Sequence, residues 1–365
     1  MLPLDRPPRS VCILRLSSLG DTCHVVPIVR TLQRAWPDTK LTWIIGKAEA
    51  RLMEIMDGVE FITVDKRAGL GARRGLRARL GGRRFDVLLH MQLSFRASLV
   101  SRVVPAGLRI GFDRARAREL QWLFTNARIA PRSREHVLDS FFGFLEALGI
   151  HERTLRWDLP LPRAALEYAQ RQIPGAEPTL LVSPCSSHPR RNWSPRGYAA
   201  VADHAARRHG MRVILTGGRS EEERRTGAAI ERLASEPLTN QIGRDTLPQM
   251  LALLERATVL LSPDSGPAHM ATMVGTPVIG LYAATNPARS GPYLSRRWCV
   301  DAYPEAARKF RRRPPGELPW TEKIDVPGVM DLITVEQVTA RLDELLAYRD
   351  GERHPGADLP RGAAR

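Results

Sequence analysis

The sequence predicts two doubly wound α/β domains facing each other across a cleft. Short apolar runs alternate with helix-period segments, the alternation occurs twice, and a proline-rich stretch separates the two series. A length of 365 residues suits about two domains, and 43% hydrophobic content supplies a core for each.

In the first series, residues 11–16 (Val-Cys-Ile-Leu-Arg-Leu) read as a buried parallel strand and 17–21 as the turn after it. Residues 22–36 place Val25, Val26, Val29, Leu32 and Ala35 at helical spacing and stop at Pro37. Strands at 41–45 and 60–64 flank a helix at 48–56. Residues 67–84 form a basic, glycine-broken helix or loop. A strand at 85–90, a helix at 94–103, a strand at 109–112 and a helix at 133–148 complete the series. Residues 151–178 carry Leu-Pro-Leu-Pro162 and two further prolines around one short helix, as a linker does.

The second series runs strand 179–183, helix 195–208, strand 212–215, helix 220–233, strand 238–242 and helix 247–254. A strand at 258–261 then meets the stretch Ser262-Pro-Asp-Ser-Gly-Pro-Ala-His-Met270, with Asp264 and Ser265 as helix caps and a brief helix through Met273. A helix start of this kind presents unpaired N–H groups to an anion such as a diphosphate. Residues 296–327 read as irregular, and 335–348 as a final amphipathic helix. The domains are therefore 1–160 and 161–330, with a last helix in 331–348 and a tail, 349–365, that lacks apolar periodicity and reads as disordered.

No run approaches the roughly 18 apolar residues of a spanning helix, and the N-terminus lacks a signal-peptide core, which points to the cytoplasm. Cys12, Cys23, Cys185 and Cys299 fall at no metal spacing and read as free thiols. The net charge of +16 comes almost wholly from arginine, since only five lysines occur. That excess suits nucleic acid, an anionic membrane or an acidic substrate, and equally a solvated surface; charge alone does not decide.

Four places carry the candidate chemistry. Ser17, Ser18, Gly20 and Asp21 follow the first strand, at the edge where α/β ligands bind. Gly20 permits a tight turn and Asp21 presents a carboxylate, although capping the next helix is the commoner job for such an Asp. The loop 183–193 carries Ser186, Ser187, Arg190, Arg191 and Trp193, suited to an anion, with Trp193 as its anchor. Thr216-Gly-Gly218 leads into Glu221, Glu222 and Glu223, one of which suits ribose hydroxyls. His269 alone reads as a packed or hydrogen-bonding histidine. A dinucleotide fingerprint, a P-loop, a zinc-protease motif and an Asp-x-Asp metal pair are all missing, which disfavours metal-dependent phosphate chemistry.

Together, Ser17-Ser-Leu-Gly-Asp21, Cys23-His-Val-Val-Pro27, Ser186-Ser187, Arg191-Asn-Trp193, Leu215-Thr-Gly-Gly218, Ile242-Gly243, Asp264-Ser-Gly-Pro-Ala-His269 and Gly275-Thr-Pro277 resemble the ADP-heptose:lipopolysaccharide heptosyltransferases of glycosyltransferase family 9, in order from residue 11 to 292. The resemblance implies a GT-B fold with an N-terminal acceptor domain, a C-terminal nucleotide-sugar domain and a final helix crossing back. It implies inverting transfer of L-glycero-D-manno-heptose from ADP-heptose to Kdo-lipid A, most like heptosyltransferase I, with no metal and no cofactor.

In that reading Asp21 is the base. The donor contacts are Ser186, Ser187, Arg191, Glu222, Ile242, Gly243, Asp264, Ser265, Gly266 and His269, and Ser17, Ser18 and Gly20 face the acceptor. The implied partners are ADP-heptose, Kdo-lipid A and the cytoplasmic surface of the inner membrane, with residues 67–84 as docking surface and no nucleic acid. Two features depart from the family: Arg191 stands where a lysine is usual, and 296–330 is longer and richer in arginine. Two other readings are an enzyme using a different nucleotide sugar and a basic nucleic-acid-binding protein; for the latter the chain lacks a known module or an aromatic stacking set.

Overall fold

The computed structural model describes residues 2–65 and 69–353. The chain divides into two compact units: the first holds residues up to Gln172 with Thr246–Leu253 and Ala288–Ser290, and the second holds the remainder. Each contains one six-stranded sheet whose strands all pair in parallel.

In the first unit the strands are β1 Ser10–Leu14, β2 Lys40–Gly46, β3 Glu60–Val64, β4 Phe85–His90, β5 Ala106–Gly111 and β6 Ala127–Arg128, in the order β3-β2-β1-β4-β5-β6. The second has β7 Thr179–Val182, β8 Arg212–Leu215, β9 Thr239–Asn240, β10 Val259–Pro263, β11 Val278–Tyr282 and β12 Val300–Asp301, ordered β12-β11-β10-β7-β8-β9. The two orders are the same, since each unit's first strand lies between its second and fourth. Each sheet therefore reverses direction between its first and fourth strands, β1/β4 and β7/β10, and the crevice beyond their carboxyl ends is where such sheets take ligands.

The first strand stops at Leu14, and the helix after it runs Leu19–Ala35, three residues earlier than its apolar spacing predicts. Ser18 is its N-cap, and the Asp21 carboxylate reaches back to it. Gly20 is thus a buried helical residue, not the tight-turn glycine expected from the sequence.

Pro27 lies inside this helix and leaves the Cys23 carbonyl without its usual donor. The buried Trp157 indole supplies one, donating to that carbonyl at 3.0 Å, and Thr31 Oγ1 accepts from the Thr154 N–H at 2.9 Å. The stretch read as a linker is thereby bonded to the first helix.

Residues 296–330 are more ordered than their sequence suggests. They supply edge strand β12, paired to β11 through Leu281↔Val300 and Tyr282↔Asp301, and a π-helical turn over Ala307–Arg311. A two-residue strand carries no alternation to read, as β6 and β9 also show; β9 covers only part of the predicted 238–242. The final helix extends over Val335–Arg353 and packs on the Pro195–His209 helix and on β11 and β12. The first residues of the predicted tail thus continue that helix, and 354–365 lie outside the described residues.

The basic segment forms a helix over Gly69–Leu80, with Lys66, Arg67 and Ala68 outside the described residues. Its Leu76 and Leu80 are buried, Arg79 donates to Thr63, and Arg83 beyond it pairs with Glu60 at 2.6 Å. Arg74, Arg77 and Arg84 are exposed. All four cysteines are buried free thiols.

Candidate active site

In the first unit, Arg15 follows directly on β1 and is almost wholly buried. Its Nη1 donates to the Met91 carbonyl beyond β4 at 2.5 Å, its guanidinium lies 5.2 Å from the centre of the Phe141 ring, and Nη2 meets Asp21 Oδ2 at 2.5 Å. The same Oδ2 accepts from the Ser18 N–H at 3.1 Å and the Ser18 hydroxyl at 2.8 Å. Asp21 does cap its helix, yet its side chain remains 28% exposed. Donors from Arg15 and Ser18 fix the carboxylate, the Arg15 contact being charge-assisted.

Gln92 stitches the crevice beside it, accepting from Leu16 N–H at 2.9 Å and Ser17 N–H at 3.1 Å. Behind it His90, bonded to Ser98 and Gln121, is pushed down to about 3 by burial and then by the Arg109 charge, so it stays neutral. Of the predicted acceptor contacts, Ser18 serves Asp21 and Ser17 accepts from Gln92.

In the second unit the loops after β7 and β10 flank the corresponding crevice. Arg191 lies between two carboxylates, with Nη1 3.4 Å from Asp264 Oδ2 and Nε 3.2 Å from Asp325 Oδ1. The side chains of Arg191 and Asp264 are each only 13% exposed. Asp325 comes from the irregular segment because Ile324 is buried and its N–H bonds to the Ala284 carbonyl at 2.8 Å, beyond the end of β11.

Asn192 links two neighbouring loops, accepting from the Ser186 N–H at 2.7 Å and donating to Glu222 at 3.1 Å. Trp193 anchors this loop as expected. It is buried, donates to the Ile333 carbonyl at 2.9 Å and meets Tyr198 edge-on at 5.3 Å. Ser187 lies on the same loop.

Ser265 alone is the N-cap of the Gly266–Met273 helix, and Asp264 precedes it and faces Arg191. Ser262 and Ser265 hydroxyls bond at 2.7 Å, and His269 is buried within the helix. Gly243, at φ +79°, donates to the Gly217 carbonyl at 3.0 Å and joins the Ile242-Gly243 turn to the Thr216-Gly-Gly218 loop; a side chain would strain that backbone. Of the three glutamates, Glu223 is consumed by Gly218 and Ser220, whereas Glu222 turns toward Asn192.

Four residues of these crevices escaped the sequence reading. Arg15 had a signal, a charge inside an apolar strand run. Gln92 and Asp325 had none, being ordinary polar residues in unpatterned stretches. Asp245 also had none; burial, opposed by a 2.9 Å bond from Thr216, pushes its carboxyl up to about 6.

Among the described residues, no helix is long and apolar enough to cross a membrane. Residues 73–318 match the family described as Glycosyltransferase family 9 (heptosyltransferase). The chain is 40% identical over 338 residues to the lipopolysaccharide core heptosyltransferase OpsX of Haemophilus influenzae, covering 93% of this chain and 97% of that one. A glycosyltransferase family 9 structure from Veillonella parvula superposes with a TM-score of 0.76 at 19% identity, covering 93% of this chain and 97% of the other. The E. coli ADP-heptose lps heptosyltransferase II structure gives 0.71 at 20% identity, covering 93% and 99%. The paired parallel sheets are those of a GT-B enzyme, as the sequence implied. The family match across most of the length and the 40% identity together establish that this chain belongs to glycosyltransferase family 9, the heptosyltransferases.

Proposed function

We propose that this enzyme transfers L-glycero-D-manno-heptose from ADP-heptose to a Kdo residue of the lipopolysaccharide inner core, by a metal-independent inverting displacement with Asp21 as general base. The observation that carries the proposal is the Asp21 carboxylate, held on one oxygen by Arg15 and Ser18 at the β1/β4 switch point. In the reaction an acceptor hydroxyl attacks the anomeric carbon from the face opposite ADP and gives its proton to Asp21. The C1–O bond to the diphosphate breaks, and the inverted glycoside and ADP result.

The charge that develops on ADP falls to the second unit. Backbone N–H groups of Ser265, Gly266 and Ala268 are the donors at the helix start, Pro267 having none, and Arg191 adds a cation. Glu222 takes the ribose hydroxyls, Ser186 and Ser187 the phosphates, Ile242 and Gly243 the nucleotide, and Asp264 and His269 the heptose. Ser17, Ser18 and Gly20 border the acceptor. The name of the Haemophilus relative supports the lipopolysaccharide core as acceptor, and that of the E. coli structure supports ADP-heptose as donor. The enzyme works at the cytoplasmic face of the inner membrane as a peripheral protein, with Arg74, Arg77 and Arg84 toward the anionic surface and no role for nucleic acid.

Product analysis with ADP-heptose and a Kdo-lipid A acceptor tests this directly. Heptose is expected on Kdo with the anomeric configuration inverted, and activity should persist in EDTA. Transfer from UDP- or GDP-sugars in preference to ADP-heptose would refute the donor assignment, and restoration only by Mg²⁺ would refute the metal-free mechanism.

A further inference from the structure

At the far end of the second unit, Asp343 on the final helix faces two histidines of the Pro195–His209 helix. His204 Nε2 lies 2.7 Å and His209 Nε2 2.6 Å from the same carboxylate oxygen, Oδ1, and the ring centroids are 5.7 Å apart. The three atoms all lie within 4.8 Å of one another. Side-chain exposures of 25%, 22% and 29% leave the group open to ions from solvent. His209 is the last helical residue before Gly210 ends the helix at φ +59°. Five residues of helix rotate by about 140°, yet both rings reach the same Asp343 oxygen and meet each other edge-on.

Two imidazole nitrogens and one carboxylate oxygen are a ligand set for zinc-like ions, not for the oxygen-seeking Mg²⁺ or Ca²⁺. Around a tetrahedral Zn²⁺, with metal–ligand bonds of about 2.0–2.2 Å, ligand atoms stand roughly 3.3 Å apart. The two N···O contacts need open by about 0.6–0.7 Å, and a water can take the fourth position. Both histidines and Arg208 meet the Asp343 carboxylate, so the three ligand atoms already converge on one point. Arg208 Nε lies 3.4 Å from the other oxygen, Oδ2; it orients the carboxylate while its charge moderates affinity for a cation.

We propose that His204, His209 and Asp343 form a Zn²⁺-class metal site that clamps the final helix to the Pro195–His209 helix. The helix ends there just before β8 begins, at the amino edge of the second sheet, whereas the donor loops follow the carboxyl ends of β7 and β10. The site is structural, and metal should alter stability without entering the transfer reaction.

The test uses the full chain, freed of metal by chelator and dialysis, then titrated with Co²⁺ and with Zn²⁺. One Zn²⁺ per chain is expected by calorimetry, with a tetrahedral Co²⁺ absorption spectrum and a rise in Tm that EDTA reverses. His204→Ala and His209→Ala should each weaken binding about tenfold or more. A double variant that binds Zn²⁺ as the parent does, or a parent whose Tm and Co²⁺ spectrum show no response, overturns the proposal. If alanine at both positions unfolds the chain, His204→Gln alone reads the same loss of affinity while keeping a polar contact to Asp343.

Discussion

The two sheets share one topology, and each places an arginine–aspartate pair at its switch point, yet the pairs work in opposite senses. In the first unit Arg15 is buried over Phe141 and tied to Met91, and everything around it fixes the Asp21 carboxylate. In the second, two carboxylates surround Arg191 at 3.2 and 3.4 Å, and they hold the cation loosely. A short, multiply bonded pair is a preorganised charge, whereas a long-contact cation can exchange a carboxylate for a phosphate at little cost. The same scaffold thus offers a fixed negative charge in one half and an exchangeable positive one in the other, which are the needs of a base and of a diphosphate site.

The comparison breaks most visibly at Asp21. Asp21→Asn should lower the transfer rate by about 10²–10⁴-fold while donor affinity, measured by calorimetry with ADP, stays unchanged. Arg15→Met should lose roughly ten- to a hundredfold in rate, since charged hydrogen bonds contribute about 1.5–3 kcal/mol. An active Asp21→Asn enzyme would end the assignment of the base.

At the other switch point the expected signs differ. Arg191→Ala should weaken ADP binding by about ten- to a hundredfold. Asp325→Asn should tighten it by a few-fold, on the order of 1 kcal/mol, because a competitor for the guanidinium is weakened. If Asp325→Asn weakens ADP binding as much as Arg191→Ala, Asp325 positions the cation and the contrast between the two pairs is lost.

The parts of this architecture that repeat were legible in the sequence. Apolar runs of four to six residues revealed most strands, and the stretch from Ser262 announced its helix start because a cap, a glycine and a proline follow a buried strand. What stayed hidden depends on long-range placement. Nothing local distinguishes Asp325 until Ile324 bonds to Ala284, and nothing marks Gln92 until Leu16 and Ser17 donate to it across 75 or 76 residues. Asp21 was legible as a cap and as a candidate base at once, and its geometry holds both roles open because capping uses Oδ2 while the side chain keeps some exposure.

A smaller contrast concerns two of the tryptophans whose indoles hold a carbonyl, Trp193 and Trp157. Trp193 holds Ile333 in a loop, whereas Trp157 satisfies the Cys23 carbonyl that Pro27 has stripped of its helical donor. Trp157→Phe should therefore cost about 1–3 kcal/mol in chemical denaturation, the penalty of a buried unpaired carbonyl. Pro27→Ala restores an N–H for Cys23, so in the double variant the cost of Trp157→Phe should shrink. Strict additivity of the two changes would mean that the indole contributes packing alone.

The last effect is one of pH. Asp245, bonded to Thr216 next to the Gly243 turn, is raised to about 6 chiefly by burial, against about 3.9 for an unfolded chain. Between those values the folded protein binds more protons than the unfolded one, so stability falls as pH rises from about 4 to 6 and stays lower above it. The upper bound is about 3 kcal/mol. Asp245→Asn can keep the Thr216 bond through its carbonyl and cannot ionise, so it should match the parent near pH 4 and exceed it in Tm near pH 7.5. A Tm difference between the two that does not change with pH would show that the Asp245 carboxyl titrates alike in the folded and unfolded chains. The Thr216–Gly218 loop would then border one more negative charge from about pH 4 upward.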